Sequence, residues 1–285
     1  MALKGQLQLG NLSSDPASGM VAGQMYYNTT NNVVRVYDGT NWVDASSGVS
    51  GSIPQSGLVF HLDASDSSSY SGSGSTWYDL TSNNYDWNVN ASSFVSTGIK
   101  HFDFSSGYRA IYTGGGSTLT DVPSYANATM IAFSTVQTST SNYRTLTRGR
   151  LADHQAIIQT SANDLGVYDN NTGGLFMDSG YDITSVTNYS TKFNGLFFRR
   201  STSSPYWAFS VNNDTSNRAT VTNSAATYTS GFCVIGGYHV NSTNTYQSSN
   251  AQSWGKFHAF LYYNRQISFS EQADIYNYYK TALGI

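Results

Sequence analysis

Nine short apolar runs, separated by clusters of Ser, Asn, Gly and Asp, are what most narrows the folds open to this chain. "GLVFHLD", "KHFDF", "TMIAFSTV", "AIIQT", "DLGVYD", "GLFFRR", "YWAFSV", "FCVIGGY" and "FHAFLYYN" are each of strand length, with no helix-length periodic segment among them. Such a chain buries its apolar residues by stacking sheets, which predicts an all-β fold, a large antiparallel β-sandwich. A helix is expected only at the end. In "QISFSEQADIYNYYKTALGI" Ser268 and Glu271 have the spacing of a capping box, Ile275, Tyr279 and Leu283 recur at helical spacing, and Gly284 can close the last turn, so the helix is placed at about Phe269 to Leu283.

The stretch "GQMYYNTTNNVVRVYDGTNWV" from Gly23 to Val43 reads as a separate three-stranded β-meander with Asn-, Asp- and Gly-bearing turns. Met25 and Tyr27 share one face of its first strand, Val34 and Val36 one face of its second, and Trp42 opens its third. These five are expected to form one apolar face. Residues 1–48 carry no disulfide and no metal-ligand cluster, and a piece of that size cannot bury enough surface alone, so the face is expected to be covered by other subunits or by copies of the chain. "DASSGVSGSIPQSG" follows with the composition of a flexible connector, giving a linker at 49–56 and a main domain at 57–285.

Only 11% of the 285 residues are charged, and 14 Lys and Arg against 17 Asp and Glu leave a net charge of −3, which argues against nucleic acid as a partner. The densest basic run, "RTLTRGR" at Arg144 to Arg150, reads as a solvated loop or strand end. Cys233 lies in an apolar stretch and reads as a small buried hydrophobe. Neither a leader segment nor a membrane-spanning window is read from the sequence, so the chain is expected to be made in cytoplasm without membrane insertion. Tyrosines are abundant, and exposed members of the pairs Tyr26/Tyr27, Tyr262/Tyr263 and Tyr278/Tyr279 suit a sugar or a subunit interface.

Three segments carry a family resemblance: "GLVFHLDASDSSSYSGSGSTWYDLTSNN" (Gly57 to Asn84), "KHFDFSSGY" (Lys100 to Tyr108) and "WGKFHAFLYYNRQISFSEQADIYNYY" (Trp254 to Tyr279). Together they resemble the laminin G-like, concanavalin A-like domains of phage structural proteins, and the N-terminal meander resembles a short module of phage tail fibre proteins. The resemblance implies a jelly roll of two packed sheets with the terminal helix laid against it. It also implies a virion protein assembled in host cytoplasm: a tail fibre, tail tip or baseplate component, trimeric or otherwise homo-oligomeric, whose outer domain meets host surface glycans. The alternative is a capsid decoration protein, and the third reading is a polysaccharide-degrading enzyme.

Enzymatic chemistry finds little footing in the residues. Glycoside hydrolysis by the usual route needs two carboxylates, whereas Glu271 is the single glutamate and has a capping role; Asp63 and Asp66 in "HLDASD" read as turn residues. No Gly-x-Ser-x-Gly elbow occurs, and His61, His101, His154, His239 and His258 read as hydrogen-bonded strand residues. The chain is therefore expected not to be an enzyme. Calcium has a weak candidate in "DNNTGG", where Asp169 and Asn171 alternate before Gly173, but the segment reads better as a polar hairpin turn, so no cofactor is expected. "SGSGS" at Ser71 to Ser75 lacks the lysine of a phosphate loop and reads as a turn.

Overall fold

The strand Lys256–Tyr263 is apolar on both faces, and that double burial organises the larger of the two units, Met1–Ser52 and Ile53–Ile285, into which the chain divides. The structure, a computed structural model, describes residues 9–30, 33–37, 39–44, 51–116, 119–138, 143–149, 155–159, 162–169, 174–224, 231–237 and 252–285. In the larger unit one sheet runs in the order Ala219–Val221, Trp207–Val211, Asn194–Arg200, Ala128–Ser134, Lys256–Tyr263, His101–Asp103 and Phe94–Val95, and Leu58–Asp63 also pairs with Lys256–Tyr263. The second sheet runs Leu175–Asp182, Asp164–Asp169, Gln155–Ile158, Arg144–Arg148, Val234–Ile235, Ala110–Tyr112, Trp87–Asn88 and Thr76–Trp77. The described pairs in both sheets are antiparallel. All nine apolar runs contribute a strand. The fold is thus the antiparallel β-sandwich with a C-terminal helix that the sequence predicts.

Two cores follow from strand alternation. Phe60, Leu62, Trp77, Trp87, Phe102, Ile158, Phe198, Trp207, Phe260 and Tyr262 fill the space between the sheets. Ile131, Phe133, Phe197, Leu261 and Tyr263 form the other side of the first sheet, where Ile275, Tyr279 and Leu283 of the helix cover them. Each large side chain fully buried this way contributes about 1.5–3 kcal/mol. A β-bulge interrupts the alternation. Phe133 pairs with Ala259 but Ser134 with Phe257, so His258 is the extra residue. Phe257 stays in the inner core, Ala259 joins the outer one, and the His258 ring reaches the helix, 5.6 Å from that of Tyr279.

The helix occupies Phe269–Leu283. Ser268 Oγ accepts from Glu271 N at 3.1 Å, Glu271 Oε2 accepts from Ser268 N at 2.8 Å, and Gly284 ends the helix in the left-handed region. Arg265 grips the same carboxylate with both guanidinium ends, at 2.9 Å from Nη1 to Oε2 and through Nη2 to Oε1. That hydrogen-bonded pair, above all, lowers the Glu271 pKa from 4.5 to about 2. Glu271→Ala is expected to destabilise the larger unit by about 0.5–2 kcal/mol at pH 7, the low end reflecting solvent screening of a half-buried pair. Because the folded-state pKa is depressed, the contribution is present above about pH 4.5 and lost towards about pH 2. Denaturant titrations at the two pH values should show the mutant and wild type converging in acid.

The connector is partly fixed. Ile53 packs on the helix-side core, Pro54 O accepts from Tyr263 Oη at 3.0 Å, and Ser56 O accepts from Arg265 Nε at 2.8 Å. The run at Arg144 is not a solvated loop or strand end but a buried strand, Arg144–Arg148. Long side chains let it be so: Arg144 Nη2 donates to Thr138 O at 2.9 Å and Arg148 Nη1 to Gly149 O. Arg150 lies outside the described residues.

In the smaller unit Gly10–Leu12 runs parallel to Met25–Asn28, which pairs antiparallel with Val33–Tyr37, itself antiparallel to Trp42–Asp44. The expected meander thus gains a parallel fourth strand. Met25 stands opposite Val36 and Tyr27 opposite Val34, so those four share a face. Trp42 does not join them, which corrects the expected five-residue face. It pairs with Tyr37 and so falls on the opposite side, with its ring edge-on to Tyr26 at 4.9 Å and its Nε1 donating to Pro16 O at 3.1 Å. On that side Asp15 accepts from Tyr26 Oη at 2.5 Å and from Arg35 Nη2 at 2.8 Å, closing a small core of the unit's own.

Candidate functional site

Three neighbouring strands of the second sheet end at one rim of the sandwich, and the residues just beyond their ends enclose a cavity of about 600 Å³. Ser75 precedes Thr76–Trp77, Val89, Asn90 and Ala91 follow Trp87–Asn88, and Ser106, Gly107, Tyr108 and Arg109 lead into Ala110–Tyr112. Val89 and Arg109 are buried, Gly107 and Tyr108 half-buried, and Ser75, Asn90, Ala91 and Ser106 exposed.

Local hydrogen bonds hold each wall. Val89 N donates to Ser75 O at 2.9 Å, tying two walls together, and Tyr70 Oη donates to Gly74 O at 2.9 Å. Asn90 caps the 3-10 turn Ala91–Ser93: its Oδ1 accepts from Ser92 N at 2.9 Å, which fixes the amide and turns Nδ2 to other partners. The third wall turns at Gly107, whose φ of 90° favours glycine and whose N donates to Phe104 O at 3.2 Å. Gln137 Nε2 braces it from outside, donating to Ser105 O at 3.0 Å. Hydroxyls, an amide, a phenol and a short apolar floor thus surround the space, and among the described lining residues Arg109 is the one charged group and none is a carboxylate.

A second polar cluster lies under the helix. His61 Nε2 meets Tyr279 Oη at 2.6 Å, His258 Nδ1 donates to Lys100 O at 2.7 Å, and His101 Nδ1 donates to Ile99 O at 2.6 Å. His258 Nε2 lies 4.0 Å from Asp63 Oδ1. Burial lowers the pKa of His61 to about 4, lowers those of His101 and His258, and raises that of Tyr279. The members are all buried beneath the helix, so the cluster is packed machinery rather than a pocket open to substrate. Asp63 Oδ1 accepts from Ser65 N at 2.7 Å and Asp66 Oδ1 from Ser68 N at 2.7 Å, the turn roles expected of both.

The other candidate residues are not among those that line the cavity. Ser268 and Glu271 form their capping box, and Met25, Tyr27, Val34 and Val36 lie in the smaller unit. Asp169 ends the strand Asp164–Asp169, and Asn171 lies outside the described residues, as do His154 and His239. Among the described residues no three His, Cys, Asp or Glu side chains are placed to hold a metal ion. Cys233 is buried, and of the tyrosine pairs Tyr278 is well exposed while Tyr262, Tyr263 and Tyr279 are core. The cavity residues themselves were missed by motif reading, although "SGSGS" and "KHFDFSSGY" supply two of its walls.

No family model matches the chain, and no curated protein matches its sequence. Solved structures do match in fold. A Trypanosoma rangeli sialidase in complex with sialic acid shows 15% identity and a TM-score of 0.51, over 81% of this chain and 34% of the sialidase chain. An HCR/D point mutant shows 12% identity and a TM-score of 0.50, over 77% of this chain and 50% of that one. A botulinum neurotoxin serotype D ligand-binding domain in complex with N-acetylneuraminic acid aligns at 14% identity with a TM-score of 0.49, over 77% of this chain and 50% of that chain. The chain thus spans about a third of the sialidase and half of the HCR/D chain, and at these identities the likeness is one of fold: a lectin-like β-sandwich.

The expectation that the chain is not an enzyme is corrected by this finding. Its fold is found within sialidase chains, so the sandwich does not set it apart from glycosidases. The physical weakness lay in the argument from a single glutamate, since some glycosidases replace one carboxylate with a tyrosine nucleophile.

Proposed function

We propose that the protein is a phage virion structural component, part of a tail fibre, tail tip or baseplate, whose larger unit engages carbohydrate on the host surface. The observation that carries the reading is the asymmetry of the small sheet: one face is closed by Tyr26, Arg35 and Trp42 under Asp15 and Pro16, while the other presents Met25, Tyr27, Val34 and Val36. A sheet with its own closed side and an apolar second side suits docking to other virion proteins or to copies of itself. The sequence resemblance to phage modules supports the virion setting. The sialic acid complex of the sialidase that shares the fold supports a sugar as ligand.

Immunogold labelling of purified particles tests the reading. Label at the tail is expected, with loss of incorporation in a Tyr27→Asp, Val36→Asp double variant whose larger unit still melts as in wild type. Label spread evenly over the shell would make the protein a capsid decoration protein instead, and particles without label would end the virion reading.

A further inference from the structure

The geometry points to the rim cavity between Ser75, Asn90 and Tyr108 as a saccharide-binding site that takes the terminal sugar of a glycan. The inference deepens the function proposed above and rests on it for the source of the glycan alone. Size comes first. About 600 Å³ lies within the range of small-molecule sites, and the space is open to solvent at the exposed Ser75, Asn90 and Ser106 while closed below by Val89.

Chemistry then selects the ligand. A pyranose presents C–H faces and an equatorial rim of hydroxyls that both donate and accept. The cavity offers a matching division: the half-buried Tyr108 ring with Val89 and Ala91 for the faces, and the Ser75 and Ser106 hydroxyls with the Asn90 amide for the rim. A nucleotide or inorganic phosphate would call for paired cations or a run of backbone N–H donors, whereas the described lining residues supply Arg109 as their one charge.

Preorganisation supports the assignment. The Asn90 amide is held by its cap to Ser92 N, and the three walls are tied by the bonds Val89 N to Ser75 O, Tyr70 Oη to Gly74 O and Gln137 Nε2 to Ser105 O. A ligand therefore meets a fixed backbone and an amide already in place, and orders chiefly the exposed Ser75 and Ser106 hydroxyls on binding.

Saturation-transfer NMR on the full chain tests this with the methyl glycosides of glucose, galactose, mannose, N-acetylglucosamine and glucuronic acid, at concentrations up to tens of millimolar. At least one is expected to bind. Ser106→Trp, which fills the cavity from its exposed rim, and Tyr108→Ala, which removes the ring, should each weaken that binding by about tenfold or more, with unchanged melting of Ser106→Trp as the folding control. Asn90→Asp keeps the Oδ1 acceptor for Ser92 N but removes the amide donors, and should weaken binding without loss of the turn. Wild-type affinity in both Ser106→Trp and Tyr108→Ala would overturn the site while leaving glycan engagement standing, located elsewhere. No binding of any probe would overturn the site and the glycan role together, and the particle labelling would still decide the virion reading by itself.

Discussion

Arg199→Ala is expected to destabilise the larger unit by about 3–5 kcal/mol, one of the largest effects available to a single substitution in this chain. Arg199 lies on the strand Asn194–Arg200, buried between the first sheet and the start of the helix. Its Nε donates to Ile267 O at 3.0 Å, Nη1 to Ser210 Oγ at 2.7 Å and Nη2 to Gln272 Oε1 at 2.6 Å, with the guanidinium 4.5 Å above the Phe269 ring. Gln272 in turn donates from Nε2 to Asn212 O at 2.8 Å. Burial lowers the guanidinium pKa from 12.5 to about 10, which leaves it charged at neutral pH. Truncation would leave a void and a buried carbonyl without its donor in the segment that launches the helix. Equilibrium denaturation measures the loss, and Arg199→Met, which restores volume but not hydrogen bonds, should recover only part of it. A loss below about 1 kcal/mol would show that the apolar contacts of Ile275, Tyr279 and Leu283 hold the helix without the network.

Acid is expected to weaken the same unit by about 3 kcal/mol between pH 6.5 and pH 4 through His61 alone. Burial lowers its pKa from 6.5 to about 4, against the opposing pull of Asp63 and Asp66. The folded state therefore keeps the imidazole neutral over a range in which the unfolded chain binds a proton. Stability falls as pH drops through that window and is flat, for this group, above and below it. His101 and His258 are lowered by burial too and act in the same sense, with Lys256 facing His101 and Asp63 facing His258. The loss due to Glu271 begins only below about pH 4.5, so the two windows separate. His61→Gln can still hydrogen-bond Tyr279 Oη but does not titrate, and should make the limb between pH 6.5 and 4 shallower in a pH series of denaturant midpoints, leaving the part due to His101 and His258. A wild-type midpoint that holds steady across that range would mean that the imidazole is hydrated in the folded state.

Local pattern made much of this fold legible. The helix Phe269–Leu283 was readable because its cap, its period and its terminal glycine agree, and a strand in each of the nine apolar runs because such runs need a core on one face or both. The face of Trp42 was not readable. Period-two reading orders residues within a strand, but only the pairing of Tyr37 with Trp42 across the turn decides which side the indole takes. Arg144 and Arg148 were misread because charge suggests surface, while their guanidinium groups find backbone carbonyls inside. The cavity escaped for a different reason. Its walls come from Ser75, from Val89 to Ala91 and from Ser106 to Arg109, segments joined only by strand pairing, and Ser, Asn and Gly there look the same as in any turn.

Ile53 and Ile285 both pack on the core beneath the helix, so the backbone enters and leaves the larger unit on the same side of the same sheet. The two positions thus share one core. A chain rewired to join Ile285 to Ile53 through an added linker and cut at an exposed turn is expected to keep its strand neighbours, because neither residue takes part in sheet pairing. Such rewiring would leave the rim that holds the cavity undisturbed, since its walls lie at the ends of strands of the second sheet rather than on the core that Ile53 and Ile285 share.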